Sequence, residues 1–267
     1  MTADKLFRDL HAGPELLILP NAWDAGSARV IEEAGARAIA TSSAAVAWSH
    51  GYADGQFVPF ERVVATVEAI ARAVKVPVSA DIESAYGDSA PAVEERIARI
   101  VDAGAVGVNI EDGTAGPDLL CAKIERAKTV VANAGVELWI NARTDVYLRK
   151  LAAGEEAFNE SVRRARLYAA AGADSIFVPG LVEADAIGRM VRLVKQPFNV
   201  LAMPGVPGAA TLKGLGVRRL SAGGHLGRAA YDRTYALARA FLADGRVETL
   251  IAPPATVPNM NALMGRL

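Results

Sequence analysis

Residues 101–112 read VDAGAVGVNIED, and the architecture can be worked outward from this stretch. A helical run closes at Ala103-Gly104, where glycine supplies the left-handed residue that turns the chain. An apolar, β-branched segment follows and ends in two carboxylates, Glu111 and Asp112. The plan recurs in EEAGARAIATSS (32–43), NAGVELWINARTD (133–145) and AAAGADSIFVPG (169–180). Adding LLILPNAWD from Leu16, VPVSADIES from Val76, FNVLAMPG from Phe198 and GVRRLSAGG from Gly216 gives eight short strands.

Amphipathic stretches of helical period lie between them, such as FERVVATVEAIARAV from Phe60 and PAVEERIARIVDAG, whose Pro91 suits a first helical turn. Apolar strands alternating with helices predict an α/β fold with a buried parallel sheet, and eight such units predict a closed (β/α)8 barrel. A doubly wound open sheet is the alternative. Residues 1–245 read as the barrel, and 246–267, with Pro253, Pro254 and Pro258, as a tail packing on the barrel or on a partner subunit.

Composition narrows the function. The chain of 267 residues carries 29 basic against 30 acidic side chains, a net charge of −1 that offers no surplus for nucleic acid. Its hydrophobic content of 52% excludes a disordered chain, and no run is long enough to span a membrane or serve as a signal peptide. A single cysteine, Cys121, forms no internal disulfide and anchors no thiolate metal site, which points to the cytoplasm. Cys121 itself reads as a packed side chain in a helix.

A parallel barrel carries its chemistry at the carboxyl ends of its strands. Those ends are acidic here: Asp54 follows the second strand, Asp81 and Glu83 the third, Glu111 and Asp112 the fourth. Two apart in an extended segment, Asp81 and Glu83 would share one side. Clustered oxygen ligands without His or Cys are the set that Mg2+ prefers. Arg143 ends the fifth strand, so carboxylates for a metal and a guanidinium for an anion face one mouth. Ser42 and Ser43 end the second strand and offer donors to a carboxylate. Trp23 is read as a wall of the pocket or a plug of the barrel, and Asp24 as a helix cap. His225 is read as part of a phosphate-binding glycine turn or as a cap, while His11 and His50 are read as surface residues.

These residues, through LPNAWDAGSARVIEEAG, TSSAAVA, PVSADIESAYGD, GAVGVNIED, INARTD and GADSIFVPG, make the chain resemble the isocitrate lyase/phosphoenolpyruvate mutase superfamily along most of its length. The family's metal motif, Asp-x-Asp-x-Gly-(Tyr/Phe)-Gly, falls without gaps on Asp81 to Gly87. The resemblance implies that Asp81 binds Mg2+ directly, that Glu83, Asp54 and Glu111 hold metal-bound waters, that Ser42, Ser43 and Ala44 receive the substrate carboxylate, and that Arg143 contacts its second anionic group. It implies a last helix swapped between subunits of a homodimer or homotetramer. The chain resembles a carboxyphosphonoenolpyruvate mutase-like member that lacks the Lys-Lys-Cys-Gly-His loop, with GTAGPDLLCAK in its place; the mutase-type loop with its paired Lys and Asn is missing as well. Val178-Pro179-Gly180 and Met203 also replace the family's usual polar residues. The expectation is a lyase or decarboxylase that breaks a C–C bond of a small 2-oxo or 2-hydroxy di- or tricarboxylate through a metal-stabilised enolate. C–P mutase or hydrolase activity on phosphonopyruvate, and a non-catalytic 2-oxo-acid-binding protein, are the alternatives.

Overall fold

In the computed structural model, which describes residues 1–87, 89, 91–251 and 256–265, Pro20 splits the first strand into two halves, β1 (Leu17–Leu19) and β2 (Asn21–Ala22). The other seven follow where the sequence places them: β3 (Ile39–Thr41), β4 (Val78–Asp81), β5 (Gly107–Glu111), β6 (Trp139–Arg143), β7 (Ser175–Phe177), β8 (Phe198–Leu201) and β9 (Arg219–Ser221). Every pairing is parallel, β2 pairs with β3, and β1 pairs with β9, so the two halves of the first strand close the barrel. Helices cover it: α2 (Ala25–Glu33), α4 (Phe60–Ala73), α5 (Ala92–Asp102), α6 (Pro117–Ala134), α7 (Gly154–Ala170), α8 (Ala184–Leu193) and α9 (Ala209–Gly214). The alternative of an open sheet is thereby set aside.

Alternation along the strands sorts side chains into two cores. Outward residues such as Ala80, Val108, Ile110, Ile140, Ile176 and Val200 pack with the helices in the main cluster. Inward residues fill the barrel in layers, and the lowest is closed by the first helix, α1 (Ala3–Ala12), whose Phe7 and Leu10 join Leu17, Leu19, Ala38, Ala40 and Trp139. His11 is therefore not a surface residue. The period of α1 puts it on the same face as Phe7, it is 1% exposed, and its ring stacks on Trp139 at 4.4 Å. Its Nδ1 donates to the Phe7 carbonyl at 2.8 Å, and burial pushes its pKa down to about 3, which keeps the ring neutral. His50, also read as surface, has a partner in Thr66 Oγ1 at 2.9 Å.

The helix-ending glycines Gly35, Gly104 and Gly172 have φ of 98°, 96° and 107°, conformations that side chains disfavour. After β9, α10 (His225–Asp244) leaves the barrel wall, and Gly227 is its one buried residue. The short helices α3 (Ser43–Ser49), α11 (Glu248–Ile251) and α12 (Met260–Met264) complete the described elements. Leu263 of α12 is fully buried, and Arg29 of α2 donates to its carbonyl at 3.1 Å. Pro253 and Pro254 lie outside the described residues. No helix of the described residues is long and apolar enough to cross a membrane.

The contact between α1 and the barrel floor is tight at Gly107, where a Cβ would lie 2.7 Å from the Phe7 ring and 3.2 Å from Ser79 Oγ. Gly107→Ala is expected to cost about 1–3 kcal/mol by overpacking. Urea denaturation should also show a smaller cost in a Phe7→Leu background, because the two sites share one space. Equal costs in both backgrounds would place the strain elsewhere.

Candidate active site

The carboxyl ends of the strands open on a cavity of about 150 Å³ whose lining includes Ser42, Ser43, Asp54, Asp81, Asn109 and Arg143. A wider vestibule above it adds Glu83, Glu111 and Arg149. Ser42 caps α3, accepting from Ala45 N–H at 3.3 Å, and this turn brings Ser43 and Ala44 to the cavity wall. On the neighbouring strand, Asn21 Oδ1 accepts the N–H groups of Ala222 and Gly223 at 2.9 and 2.8 Å, holding the glycine turn after β9 against the cavity.

Asp81 ends β4 with its backbone N–H donating to Thr41 Oγ1 at 2.8 Å. Glu83 reaches the same mouth by a different route from strand alternation: its φ is 50°, so the chain has left the extended form. Ala85 and Tyr86 follow at φ of 69° and 50°, which makes this loop a strained stretch of non-glycine residues in the left-handed region. The turn places Glu83 Oε1 to accept from Tyr86 Oη and Gln56 N–H, both at 3.0 Å, and Asp81 Oδ1 to accept from Glu83 N–H at 3.2 Å.

Arg143 is engaged on two sides. Its Nε and Nη2 donate to the two oxygens of Asp145 at 2.6 and 3.1 Å, and Nη1 lies 2.6 Å from Glu111 Oε2. Asp145 is the residue that sequence reasoning missed. It stands two positions beyond Arg143 in INARTD, is fully buried, and also accepts from Arg149 Nε at 2.9 Å. Its N–H in turn donates to Asp112 Oδ1 at 2.8 Å, and Asp112 Oδ2 accepts from Arg164 Nη1 and Tyr168 Oη. Asp112 thus serves as a buried tie between β5, β6 and α7 and does not face the cavity, as the spacing Glu111-Asp112 alone could not reveal.

The electrostatics of the mouth follow from crowding. Burial, then the charges of Asp81 and Asp54, push the Glu83 carboxyl up to about 7. Burial pushes Glu111 up to about 8 against the opposing pull of Arg143, with Asp145 and Asp81 adding to the rise, and burial likewise raises Asp81. Beneath them Arg219 of β9 is 1% exposed, and burial brings its guanidinium down to about 9.

Other sequence candidates lie apart. Trp23 is not among the residues that line the cavity, and packs 3.4 Å from where a Cβ on Gly227 would stand. Asp24 caps α2, accepting from Ser27 N–H at 2.6 Å. His225 opens α10 as an exposed residue, and its side chain makes no capping bond there. Cys121 packs against the main core from α6. The loop between β5 and α6 is short, Asp112 to Gly116.

Comparison with known proteins agrees with this geometry. The family described as phosphoenolpyruvate phosphomutase matches residues 7–242. The 2-methylisocitrate lyase of Bacillus subtilis is 31% identical over 203 residues, 72% of this chain and 64% of that enzyme. A Burkholderia cenocepacia structure provisionally described as a phosphonomutase is 40% identical, with a TM-score of 0.84 over 89% of this chain and 99% of the other. A phosphonopyruvate hydrolase solved with oxalate and Mg2+, 24% identical, shares the fold at a TM-score of 0.87 over 99% and 95% of the two chains. Lyases and mutases of this kind act on small carboxylates, and members use Mg2+. The chain belongs to the phosphoenolpyruvate phosphomutase family, within the isocitrate lyase/phosphoenolpyruvate mutase superfamily of enzymes.

Proposed function

We propose that the protein is a Mg2+-dependent lyase that breaks a C–C bond of a short 2-oxo or 2-hydroxy di- or tricarboxylate, with decarboxylation favoured over aldol-type cleavage. The observation that carries this reading is the gathering of Asp54 and Asp81 with Arg143 on the small cavity and of Glu83 and Glu111 on the vestibule that opens onto it, the buried carboxyls raised by their surroundings. A divalent cation fits that set. All the donors are oxygens, and Glu111 Oε2 is buried without a hydrogen bond because Arg143 Nη1 lies close but off the N–H direction. Among the described residues no three acidic, histidine or cysteine side chains stand close enough together to hold an ion by themselves. Asp81 would hold it directly, and Asp54, Glu83 and Glu111 through water. When bound, Mg2+ would supply a Lewis acid that offsets negative charge growing on the substrate's oxygen.

The protein's own groups do the rest. Ser42, Ser43 and Ala44 receive one carboxylate, and Arg143, held rigid by Asp145, keeps N–H groups for the other end of the substrate. A short gate with no cysteine leaves no evident acid for a departing carbanion, whereas loss of CO2 requires chiefly a place for the electron pair. The cavity of about 150 Å³ suits a short-chain acid.

The unpartnered outer face supports a homo-oligomer. Ile18 is 58% exposed although it lies on a barrel strand, and an apolar groove of about 550 Å³ runs along Leu16, Ile18, Val30, Ile31, Ala34 and Leu226. We assign this groove to the α10 helix of a second copy, in a swapped dimer or a tetramer of such dimers.

Three measurements test the reading. An NMR time course with Mg2+ and oxaloacetate, 2-methylisocitrate, isocitrate, a dialkylmalate and phosphonopyruvate should show turnover of a carboxylate that Asp81→Ala abolishes. Phosphonopyruvate turnover would instead establish C–P chemistry, and Mg2+-dependent binding without turnover a binding protein. The second measurement is stability against pH. Glu83 and Glu111 have folded pKa values near 7 and 8, above their ordinary 4.5, so they favour the folded state below pH 4.5 and that contribution is lost as pH rises toward 8. In EDTA the Tm should fall across this window, and Mg2+ should raise Tm more at pH 8 than at pH 5.5; an equal rise at both would detach the ion from these carboxylates. Third, Ile18→Asp should convert the assembly to monomer by light scattering, and an unchanged mass would refute the groove assignment.

A further inference from the structure

Below the carboxylates the barrel interior is polar, and its hydrogen bonds can run in only one direction. The Trp139 indole can only donate, and its Nε1 gives to Ser175 Oγ at 2.8 Å. Ser175 therefore places its single hydrogen on Asn141 Oδ1 at 2.7 Å, which turns Asn141 Nδ2 toward Asn109 Oδ1 at 2.8 Å. From the facing wall Arg219 brings Nη2 to the same Oδ1 at 3.1 Å. Strands β9 and β5 stand four steps apart around the barrel, so this guanidinium crosses its full width. A guanidinium has no acceptor, so only the oxygen of Asn109 can face it. Two ends that can only donate thus hold the Asn109 amide oxygen within the barrel. Both Nδ2 hydrogens are left for the cavity that Asn109 lines, beside Asp81, its register partner on β4.

The arrangement is costly. Arg219 leaves Nε and Nη1 buried without partners, where an apolar side chain would fill the space with no such loss. Its retention is explained by what it does to Asn109. We propose that Asn109 is a substrate-binding residue whose amide N–H groups donate, from the cavity floor, to an oxygen of the bound short carboxylic acid, and that Arg219 and the Trp139, Ser175 and Asn141 chain are positioning residues that set the amide's direction. This rests on the reading of the cavity as a Mg2+-dependent oxo-acid site and adds the group that selects an oxygen acceptor there. A donor at the floor favours an oxygen over an amine or a methyl group, and a carboxylate in its place would repel an anion.

Isothermal titration of the intact protein with oxalate in saturating Mg2+ tests it. Oxalate is a small planar dianion that suits the cavity. Asn109→Asp keeps the shape and the contact to Arg219 but removes the donor. It should weaken oxalate binding by at least about tenfold, the scale of one hydrogen bond to a charged group, while Mg2+ titrated alone binds no more weakly. Unchanged oxalate affinity, or a parallel loss of Mg2+ affinity, would overturn the role of Asn109. Absence of oxalate binding to the unaltered protein would overturn the oxo-acid reading, and this inference with it. Arg219→Met should weaken oxalate in the unaltered background and add nothing in Asn109→Ala, because it acts through that amide. Additive losses would reduce Arg219 to a structural residue. If Arg219→Met does not fold, Ser175→Ala gives the same readout from the other arm of the network.

Discussion

The mouth of the barrel gathers more negative charge than its own cations balance. Asp54, Asp81, Glu83, Glu111 and Asp145 meet Arg143 and Arg149, and the fold withdraws most of these groups from water. Desolvation raises Asp81, Glu83 and Glu111, so these groups relax by holding protons or by admitting a cation. Much of the surrounding structure serves to keep that crowd in place. Asp112, fully paired with Arg164, Tyr168 and the Asp145 N–H, clamps the ends of β5 and β6 to α7, and through Asp145 it fixes Arg143. An arginine so tied cannot swing away to neutralise whichever acid is nearest.

The loop after β4 shows the same constraint in the backbone. Glu83, Ala85 and Tyr86 all adopt left-handed conformations, at roughly 1–2 kcal/mol each for residues with a Cβ. The superfamily motif has glycine at the Ala85 position, where the conformation would carry no penalty. The alanine methyl is fully buried, so its packing offsets part of the cost. The strain is kept because the turn is what carries the Glu83 carboxyl back over Asp81; a relaxed continuation of the strand would direct it along a different path.

The sequence disclosed the fold through its punctuation. Glycines such as Gly104 and Gly172 ended helices just before each apolar run, and local chemistry of that kind survives in the folded chain. Strand-end carboxylates were legible for the same reason, since barrel topology alone brings Asp81 and Glu111 to one end, whereas Asp54 reaches it on the loop after α3. What stayed hidden depended on contacts distant in the chain. His11 looked solitary because its partner Trp139 lies 128 positions away on the barrel floor. Asp112 looked like a second ligand because its partners sit on α7. Arg219, in GVRRLSAGG, carried no signal at all: its meaning comes from Asn109 on the opposite wall.

The order of events at such a site can be argued from charge alone. Before a cation binds, an incoming dicarboxylate would face several acids and one guanidinium already engaged by Asp145 and Glu111, and the net field is repulsive. Asp81 would hold a divalent ion directly and Asp54, Glu83 and Glu111 its waters, so the ion's charge would offset theirs. Arg143, still held by Asp145, would turn its remaining N–H groups to the substrate. Under the proposed reading a cation among these acids would also offset their repulsion of an anionic substrate.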